Sequence, residues 1–131
     1  MKILIDTNIL ISAIVFGGRP REFLIALKTN GHSLYVSAYI EEELKRIFSR
    51  KWPGRADALF QKYLSLGLTR LSSVRETYGA LRDGNDIPIL SDAVAYDMDV
   101  ILTGDRDFLE AGLSHPKALS VSMLSDLLGI R

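Results

Sequence analysis

Short runs of apolar residues alternate along this 131-residue chain with longer segments in which apolar residues recur every three or four positions. The short runs predict buried strands, and the periodic segments predict amphipathic helices. The predicted strands cover residues 3–5, 34–36, 68–71, 100–102 and 119–121. The predicted helices cover residues 8–15, 20–30, 38–50, 56–66, 87–97 and 123–128, with one short helix after Asp107.

The order of these elements predicts the architecture. Strands that alternate with helices form a parallel sheet with helices on both faces, so we expect a single α/β domain over residues 1–131. Ser37 is predicted to cap the helix that follows the second strand, and Gly31 to end the helix before it. In such sheets, functional sites form beyond the carboxyl ends of the strands.

Composition and charge exclude several classes of protein. The chain has no cysteine, which excludes disulfides and thiolate metal sites and fits a reducing compartment. It has no apolar run of membrane-spanning length and no signal-peptide pattern, so we expect a cytoplasmic protein with no membrane partner. The net charge of +0 argues against a strongly basic binder of bulk nucleic acid. It does not exclude a nucleic-acid enzyme, because bound metal ions would change the local field.

Two acids follow predicted strands directly. Asp6 comes after the first apolar run, and Asp105 comes shortly after the strand over 100–102. Because the carboxyl ends of parallel strands meet at one edge of the sheet, we expect both carboxylates there.

A third acid is selected by helical phase. At about 100° per residue, Ile40, Leu44 and Ile47 define an apolar stripe that also contains Glu43. Glu42 points the opposite way and is predicted to be solvated.

The same projection selects Asp86 on the later helix. The predicted buried face of that helix consists of Ile89, Leu90, Ala93 and Val94. Asp86 lies over this face at the start of the helix, and Asp92 is predicted to lie well away from it.

Four acids from separate segments are therefore predicted to converge, namely Asp6, Glu43, Asp86 and Asp105. Asp107 is an auxiliary candidate, and Asp83 lies near the same edge. Crowded carboxylates repel each other unless a cation is present. Oxygen ligands without cysteine or a nearby histidine suit Mg²⁺ or Mn²⁺, which can activate water against a phosphodiester. Asn8 and Thr103 are predicted to support the site.

Each acid also has a simpler interpretation. Asp6 and Asp86 are suited to cap helices, and Glu43 could sit in an ion pair at the edge of its stripe. Thr103-Gly104-Asp105 could be an ordinary turn. A basic cluster on and after the helix over 38–50 is either a solvated face or a guide for RNA, and consists of Lys45, Arg46, Arg50, Lys51 and Arg55.

At these residues the chain resembles the PIN-domain family. The segments "LIDTNIL", "VSAYIEEELKRIF" and "RDGNDIPILSDAVAYDMDVILTGDRDF" are similar to its successive motifs, in order and spacing, over residues 2 to 108. The branch that it resembles most holds toxin components of toxin-antitoxin systems, related to the VapC-type toxins. The chain departs from the family at Tyr96-Asp97-Met98, where the family commonly has small residues and glycine, which puts the geometry of this turn in question.

The resemblance implies a fold and a function. It implies a three-layer α/β/α, Rossmann-like fold and an Mg²⁺- or Mn²⁺-dependent endoribonuclease that hydrolyses single-stranded RNA. It also implies a toxin that a small antitoxin neutralises. Two alternative functions stay open: a non-toxin PIN nuclease of RNA processing and a catalytically silent binding module. The apolar tail "MLSDLLGI" is either a core helix or the support of a homodimer. A dehalogenase-type phosphotransferase is disfavoured, because its second acid would stand where Asn8 is. A signalling receiver domain is disfavoured, because no lysine follows the late strand as its chemistry requires.

Overall fold

The computed structural model describes residues 1–73 and 86–130, with the backbone alone at residues 86 and 87. Its described strands form one five-stranded sheet in the order β3-β2-β1-β4-β5, and every neighbouring pair is parallel. The strands are β1 (Lys2–Ile5), β2 (Ser33–Ser37), β3 (Thr69–Leu71), β4 (Val100–Leu102) and β5 (Lys117–Leu119).

Helices connect the strands and cover the sheet. They are α1 (Thr7–Ile11), which continues as a π-helical segment (Ser12–Phe16), α2 (Gly18–Thr29), α3 (Ala38–Lys51), α4 (Ala56–Ser65), α5 (Asp86–Ala95), α6 (Arg106–Glu110) and α7 (Val121–Leu128), with a short 3-10 turn (Pro53–Arg55) between α3 and α4. This arrangement confirms the predicted α/β/α fold with a parallel sheet. Among the described helices, none is long and apolar enough to cross a membrane.

The first apolar run of the chain forms β1, the buried central strand of the sheet. Ile3, Leu4 and Ile5 are all 0% exposed, because helices cover both faces of the sheet. Leu4 pairs in register with Tyr35 of β2 and Ile101 of β4. Strand order therefore places the ends of β1 and β4 side by side, which decides where Asp6 and Asp105 lie.

Several predicted boundaries near the end of the chain were wrong. Helix α7 begins at Val121, two residues before its predicted start, because Ser120 caps it. Strand β5 ends at Leu119, two residues before the predicted end, because Leu119 pairs with Leu102 of β4. Helix α6 begins at Arg106 instead of after Asp107, because the Asp105 carboxylate caps it. The polar segment predicted over residues 79–85, with Asp83, lies outside the described residues.

The turn after α5 forms although it lacks the family's glycine. Asp97 takes a left-handed conformation with φ of 54°, which aspartate tolerates better than most residues. The following Met98 donates its backbone N–H to the Ala93 carbonyl at 2.8 Å and is buried. The departure from the family pattern therefore changes the residue and keeps a tight helix-to-strand turn.

Candidate active site

Asp6 lies at the boundary between β1 and α1 and is held from three sides. Its backbone N–H donates to the Leu102 carbonyl at 2.9 Å, which ties it to β4. Its carboxylate accepts from the Thr7 backbone N–H at 2.7 Å and from the Thr103 hydroxyl at 2.7 Å. The residue is only 5% exposed. Asp6 therefore caps α1, as its simpler interpretation predicted, and is also a fixed, buried carboxylate at the carboxyl edge of the sheet.

Glu43 reaches Asp6 through a single threonine. The buried Thr7 donates its hydroxyl to Glu43 Oε1 at 2.7 Å, while its backbone N–H contacts Asp6. Glu43 is half-buried, whereas the neighbouring Glu42 is exposed and pairs with Lys45 at 3.4 Å. The predicted phase of α3 is thus confirmed for both glutamates.

The remaining member of the three consecutive glutamates has a different environment. Glu41 accepts two hydrogen bonds from the Arg70 guanidinium, at 2.6 and 2.9 Å, and one from the Tyr63 hydroxyl at 2.9 Å. Hydrogen bonding to Arg70 is the main cause that lowers the pKa of Glu41, and burial is the main cause that raises the pKa of Tyr63. The charge of Glu41 is therefore already neutralised by Arg70, which sets it apart from Glu43.

Thr103 connects Asp6 to Asp105. The fully buried Thr103 hydroxyl donates to Asp6 and accepts from the Asp105 backbone N–H at 3.0 Å. The half-buried Asp105 carboxylate accepts from the Asp107 backbone N–H at 2.9 Å. The two threonines, Thr7 and Thr103, therefore link three of the four predicted acids into one cluster.

The two predicted supporting residues, Thr103 and Asn8, differ in their contacts with the acids. Thr103 contacts two acids, but the side chain of Asn8 is exposed. Thr7, which the sequence analysis did not single out, makes the contact that links α1 to α3. One step along a helix turns a side chain by about 100°, so Thr7 and Asn8 cannot both face α3. Helical phase sets Thr7 apart from Asn8, but the contact of Thr7 with Glu43 depends on how α1 packs against α3.

The electrostatics of the cluster are unfavourable at Asp6. Burial is the largest cause that raises its pKa, the hydrogen bonds from Thr103 and Thr7 oppose this, and the charges of Glu43 and Asp105 raise it further. Among the described residues, no lysine, arginine or histidine forms an ion pair with any of these three acids. Their negative charge is left uncompensated by the described part of the chain.

The chemistry of the donors fits a hard divalent cation. All three acids offer carboxylate oxygens, which are the ligands that Mg²⁺ and Mn²⁺ prefer. Within residues 1–73 and 88–130, however, no group of three or more acidic or histidine side chains is already arranged to hold a metal. Asp86 is the first residue of α5, and its side chain lies outside the described part of the structure.

The predicted buried face of α5 was confirmed at Ile89, Leu90 and Ala93, and the prediction was wrong for Val94 and Asp92. Five consecutive residues, Ile89–Ala93, are buried, and Asp92 among them is only 1% exposed, whereas Val94 is 37% exposed. A helix with one buried face cannot bury five consecutive residues, so α5 is enclosed around most of its circumference. Asp92 is thus a buried acid that the apolar pattern placed on the wrong side.

A parallel α/β sheet with carboxylates collected at the carboxyl ends of β1 and β4 defines a class of α/β proteins that work at that edge. Within this class, a model of the PIN domain matches residues 2–107, and the chain belongs to the PIN domain family. PIN domains are generally nucleases, which are hydrolases.

One solved structure is similar in fold. It is a chain of the crystal structure of VapBC2 from Rickettsia felis bound to a DNA fragment from their promoter, with a TM-score of 0.74 and 19% sequence identity. The match covers 92% of this chain and 98% of that chain. At this identity the likeness concerns the fold. No curated protein matches the chain.

Proposed function

We propose that this protein is a divalent-metal-dependent endoribonuclease that hydrolyses phosphodiester bonds of single-stranded RNA. The observation that carries the proposal is the cluster of Asp6, Glu43 and Asp105, in which a buried carboxylate stands beside two others without a described cation. A chain that only needed the fold would gain nothing from this repulsion. The proposal therefore favours an enzyme over a catalytically silent binding module.

In this proposal, Asp6, Glu43, Asp86 and Asp105 hold Mg²⁺ or Mn²⁺, with Asp107 as an auxiliary acid. When bound, such an ion lowers the pKa of water and offsets the charge that develops on the phosphate. Thr103 fixes the Asp6 carboxylate and Thr7 fixes that of Glu43, so the chain holds two ligands in place before any ion arrives. This arrangement reduces the movement that metal binding requires.

The direct test is cleavage of a panel of RNAs by purified protein in Mg²⁺, in Mn²⁺ and in EDTA. We expect cleavage of single-stranded RNA in either metal, none in EDTA, and none by Asp6→Asn in any condition. Asp57→Asn, a change at an exposed acid of α4, is the matched control and should cleave as wild type does. Equal cleavage in EDTA would contradict the proposal.

We extend the proposal to a toxin that a small antitoxin neutralises. It is supported by the resemblance to the toxin branch and by the similar fold in a VapBC2 structure. Induced expression should arrest bacterial growth, Asp6→Asn should not, and co-expression of a short neighbouring reading frame should restore growth and co-purify with this chain. Normal growth together with RNA cleavage in vitro would favour the alternative, a PIN nuclease of RNA processing.

The proposed homodimer rests on helix α7. This helix buries Leu124 in the core and exposes Met123 and Leu127, by 50% and 60%. It therefore has both a core face and an apolar outer face. Sedimentation of wild type and of Leu127→Gln checks whether the outer face pairs two copies, and a monomeric wild type would contradict the dimer.

A further inference from the structure

Helix α3 lies beside α1 and its π-helical continuation, and a contact joins the two segments near each end. Thr7 contacts Glu43 at the acid cluster, and the Phe16 ring contacts the Trp52 ring at a centroid distance of 6.4 Å. Phe16 comes nine positions after Thr7, and Trp52 comes nine positions after Glu43. At ~1.5 Å per helical residue, nine positions along α3 correspond to about 13 Å. We call the line between the two contacts the α1–α3 seam.

The far end of the seam carries an exposed aromatic pair. Phe16 is 76% exposed, which is unusual for a phenylalanine and leaves its ring available to a partner. Trp52 is half-buried and rests on the fully packed Phe48 at a centroid distance of 6.5 Å. The pair is therefore an aromatic surface with a fixed base and an open side.

Cations line the seam between the acids and the aromatic pair. Arg46 and Arg50 lie three and seven residues after Glu43, which places both on the same face of α3 as Glu43. Both are exposed. Lys51 and Arg55, which come shortly before and after Trp52 in the sequence, are exposed as well. Among the described residues, none of these four cations forms an ion pair with an acid. The neutral chain thus concentrates positive charge beside an acid cluster.

We propose that the α1–α3 seam is the track on which single-stranded RNA binds, with a base stacked on the Phe16–Trp52 pair and backbone phosphates at Arg46 and Arg50. This inference rests on the proposed nuclease function, because it supplies the path by which a strand reaches the acids. Base stacking on aromatic rings combined with a basic groove is a general mode of binding single strands.

Charge favours RNA over a protein partner at this surface. An apolar protein segment could cover Phe16, but it would leave the neighbouring arginines without counter-charges. A nucleic acid strand supplies both a base to stack on the aromatic pair and phosphates to pair with the arginines.

The test is fluorescence anisotropy of a labelled single-stranded RNA in EDTA, which separates binding from cleavage. A second probe is the same ribose-phosphate strand with abasic sites in place of bases. We expect Phe16→Ala to bind the normal strand roughly tenfold more weakly and the abasic strand as wild type does, because only the stacked base is lost. Phe16→Tyr should restore affinity, and Phe16→Leu should not.

The proposed phosphate contact of Arg50 is tested with the same two RNA probes. Arg50→Gln should weaken binding of both strands and reduce the slope of log affinity against log salt by about 0.7, the value for one phosphate contact on a single strand. The matched controls are Ile25→Ala, an exposed apolar residue of α2, and Lys117→Gln, an exposed cation at the opposite edge of the sheet. Neither control should change the affinity. Circular dichroism and melting curves check that each variant folds.

The outcomes separate this inference from the proposed function. If wild type cleaves RNA in Mg²⁺ but Phe16→Ala and Arg50→Gln bind both probes as wild type does, the track is overturned and the nuclease stands. If the variants behave as expected but wild type cleaves no RNA in either metal, the track stands and the nuclease fails. If Phe16→Ala keeps its RNA affinity and instead changes the sedimentation of the protein, the aromatic pair is a protein contact and the track is overturned.

Discussion

Helices α3 and α5 both begin at the carboxyl edge of the sheet and both carry acids, but their surroundings differ. Helix α3 buries one stripe, Ile40, Leu44 and Phe48, and turns Glu42 to solvent. Its half-buried Glu43 lies at the border, where Thr7 can reach it. Helix α5 is enclosed around most of its circumference and buries Asp92 in its middle.

The difference shows how a fold can hold a charged group in two ways. At the border of a one-sided helix, a carboxylate keeps contact with solvent and with any ion that arrives there, so its burial is partial. Inside an enclosed helix, a carboxylate is shut off from solvent and from any ion that arrives there. We therefore expect α3 to supply Glu43 to the site from the border of its buried stripe, and α5 to supply Asp86, its first residue, instead of the buried Asp92.

The strongest test of this difference between α3 and α5 compares two adjacent glutamates of α3. Glu43→Gln should lower the rate of RNA cleavage by about 100-fold or more, because it removes a proposed metal ligand, whose loss should exceed the 10- to 100-fold typical of outer-shell partners. Glu42→Gln, the adjacent exposed residue, should change the rate less than about twofold. Single-turnover rates in saturating Mn²⁺ measure both. The reverse ranking would show that the face of α3 toward the acids is misassigned.

The parallel experiment on α5 compares its start with its middle. Asp86→Asn should lose cleavage activity by a factor similar to that for Glu43→Gln, whereas Asp92→Asn should keep most of it, since Asp92 lies about 9 Å further along the helix. Cleavage rates at matched folded fractions, checked by melting curves, give the comparison. Loss of activity at Asp92 with retention at Asp86 would move the site to the middle of α5.

These two helices also mark how far the sequence predicts the structure. Projection at about 100° per residue separated Glu42 from Glu43, because α3 has a continuous apolar stripe and a solvated back. The same projection failed on Asp92, because it assumes that polar residues avoid the interior. Nothing in a local apolar pattern reports that a helix is enclosed by other parts of the chain.

Within the acid cluster, the closeness of Asp6 and Asp105 was predictable from the sequence, and the contacts of the supporting threonines were less so. Asp6 and Asp105 follow strands that pair side by side, so strand order alone brings them together. Thr103 was predicted, but the contact from Thr7 to Glu43 depends on how α1 packs against α3, which is a tertiary contact. The Phe16–Trp52 pair also joins residues 36 positions apart and has no signature in a single segment.

A smaller effect is expected at Thr7, which holds the α3 acid in place. Thr7→Val keeps the shape and removes the hydroxyl, so Mn²⁺ affinity should fall by about tenfold, as for other residues that orient a metal ligand. Thr7→Ser keeps the hydroxyl and should restore it. Calorimetric titration with Mn²⁺ measures this without any substrate. Equal affinities of the valine and serine variants would show that the hydroxyl does not position Glu43.

The smallest effect concerns the stability of the metal-free protein and tests the charge of the cluster by itself. The pKa of Asp6 is raised above its usual 3.8 in the folded state, chiefly by burial and further by Glu43 and Asp105. Below pH 3.8 the carboxyl is protonated in both states, and there is no penalty. As the pH rises from 3.8 through the folded pKa, the unfolded state loses its proton first, so the folded state loses stability. Above the folded pKa the loss is complete and constant.

Asp6→Asn removes the charge and keeps a residue that caps helices equally well. In EDTA at neutral pH we therefore expect it to melt higher than wild type, by about 4 °C for a gain on the order of 1 kcal/mol in a domain of this size. The difference in melting temperature between the two proteins should narrow as the pH falls toward 3.8.

Excess Mn²⁺ should raise the melting temperature of wild type by binding the folded state, and that of Asp6→Asn less, so the difference should close or reverse. Asp57→Asn, at an exposed acid, should show neither the pH-dependent difference nor a changed response to Mn²⁺. If wild type and Asp6→Asn melt together at every pH and both ignore Mn²⁺, Asp6 is a helix cap alone, and α3 and α5 have no metal to share.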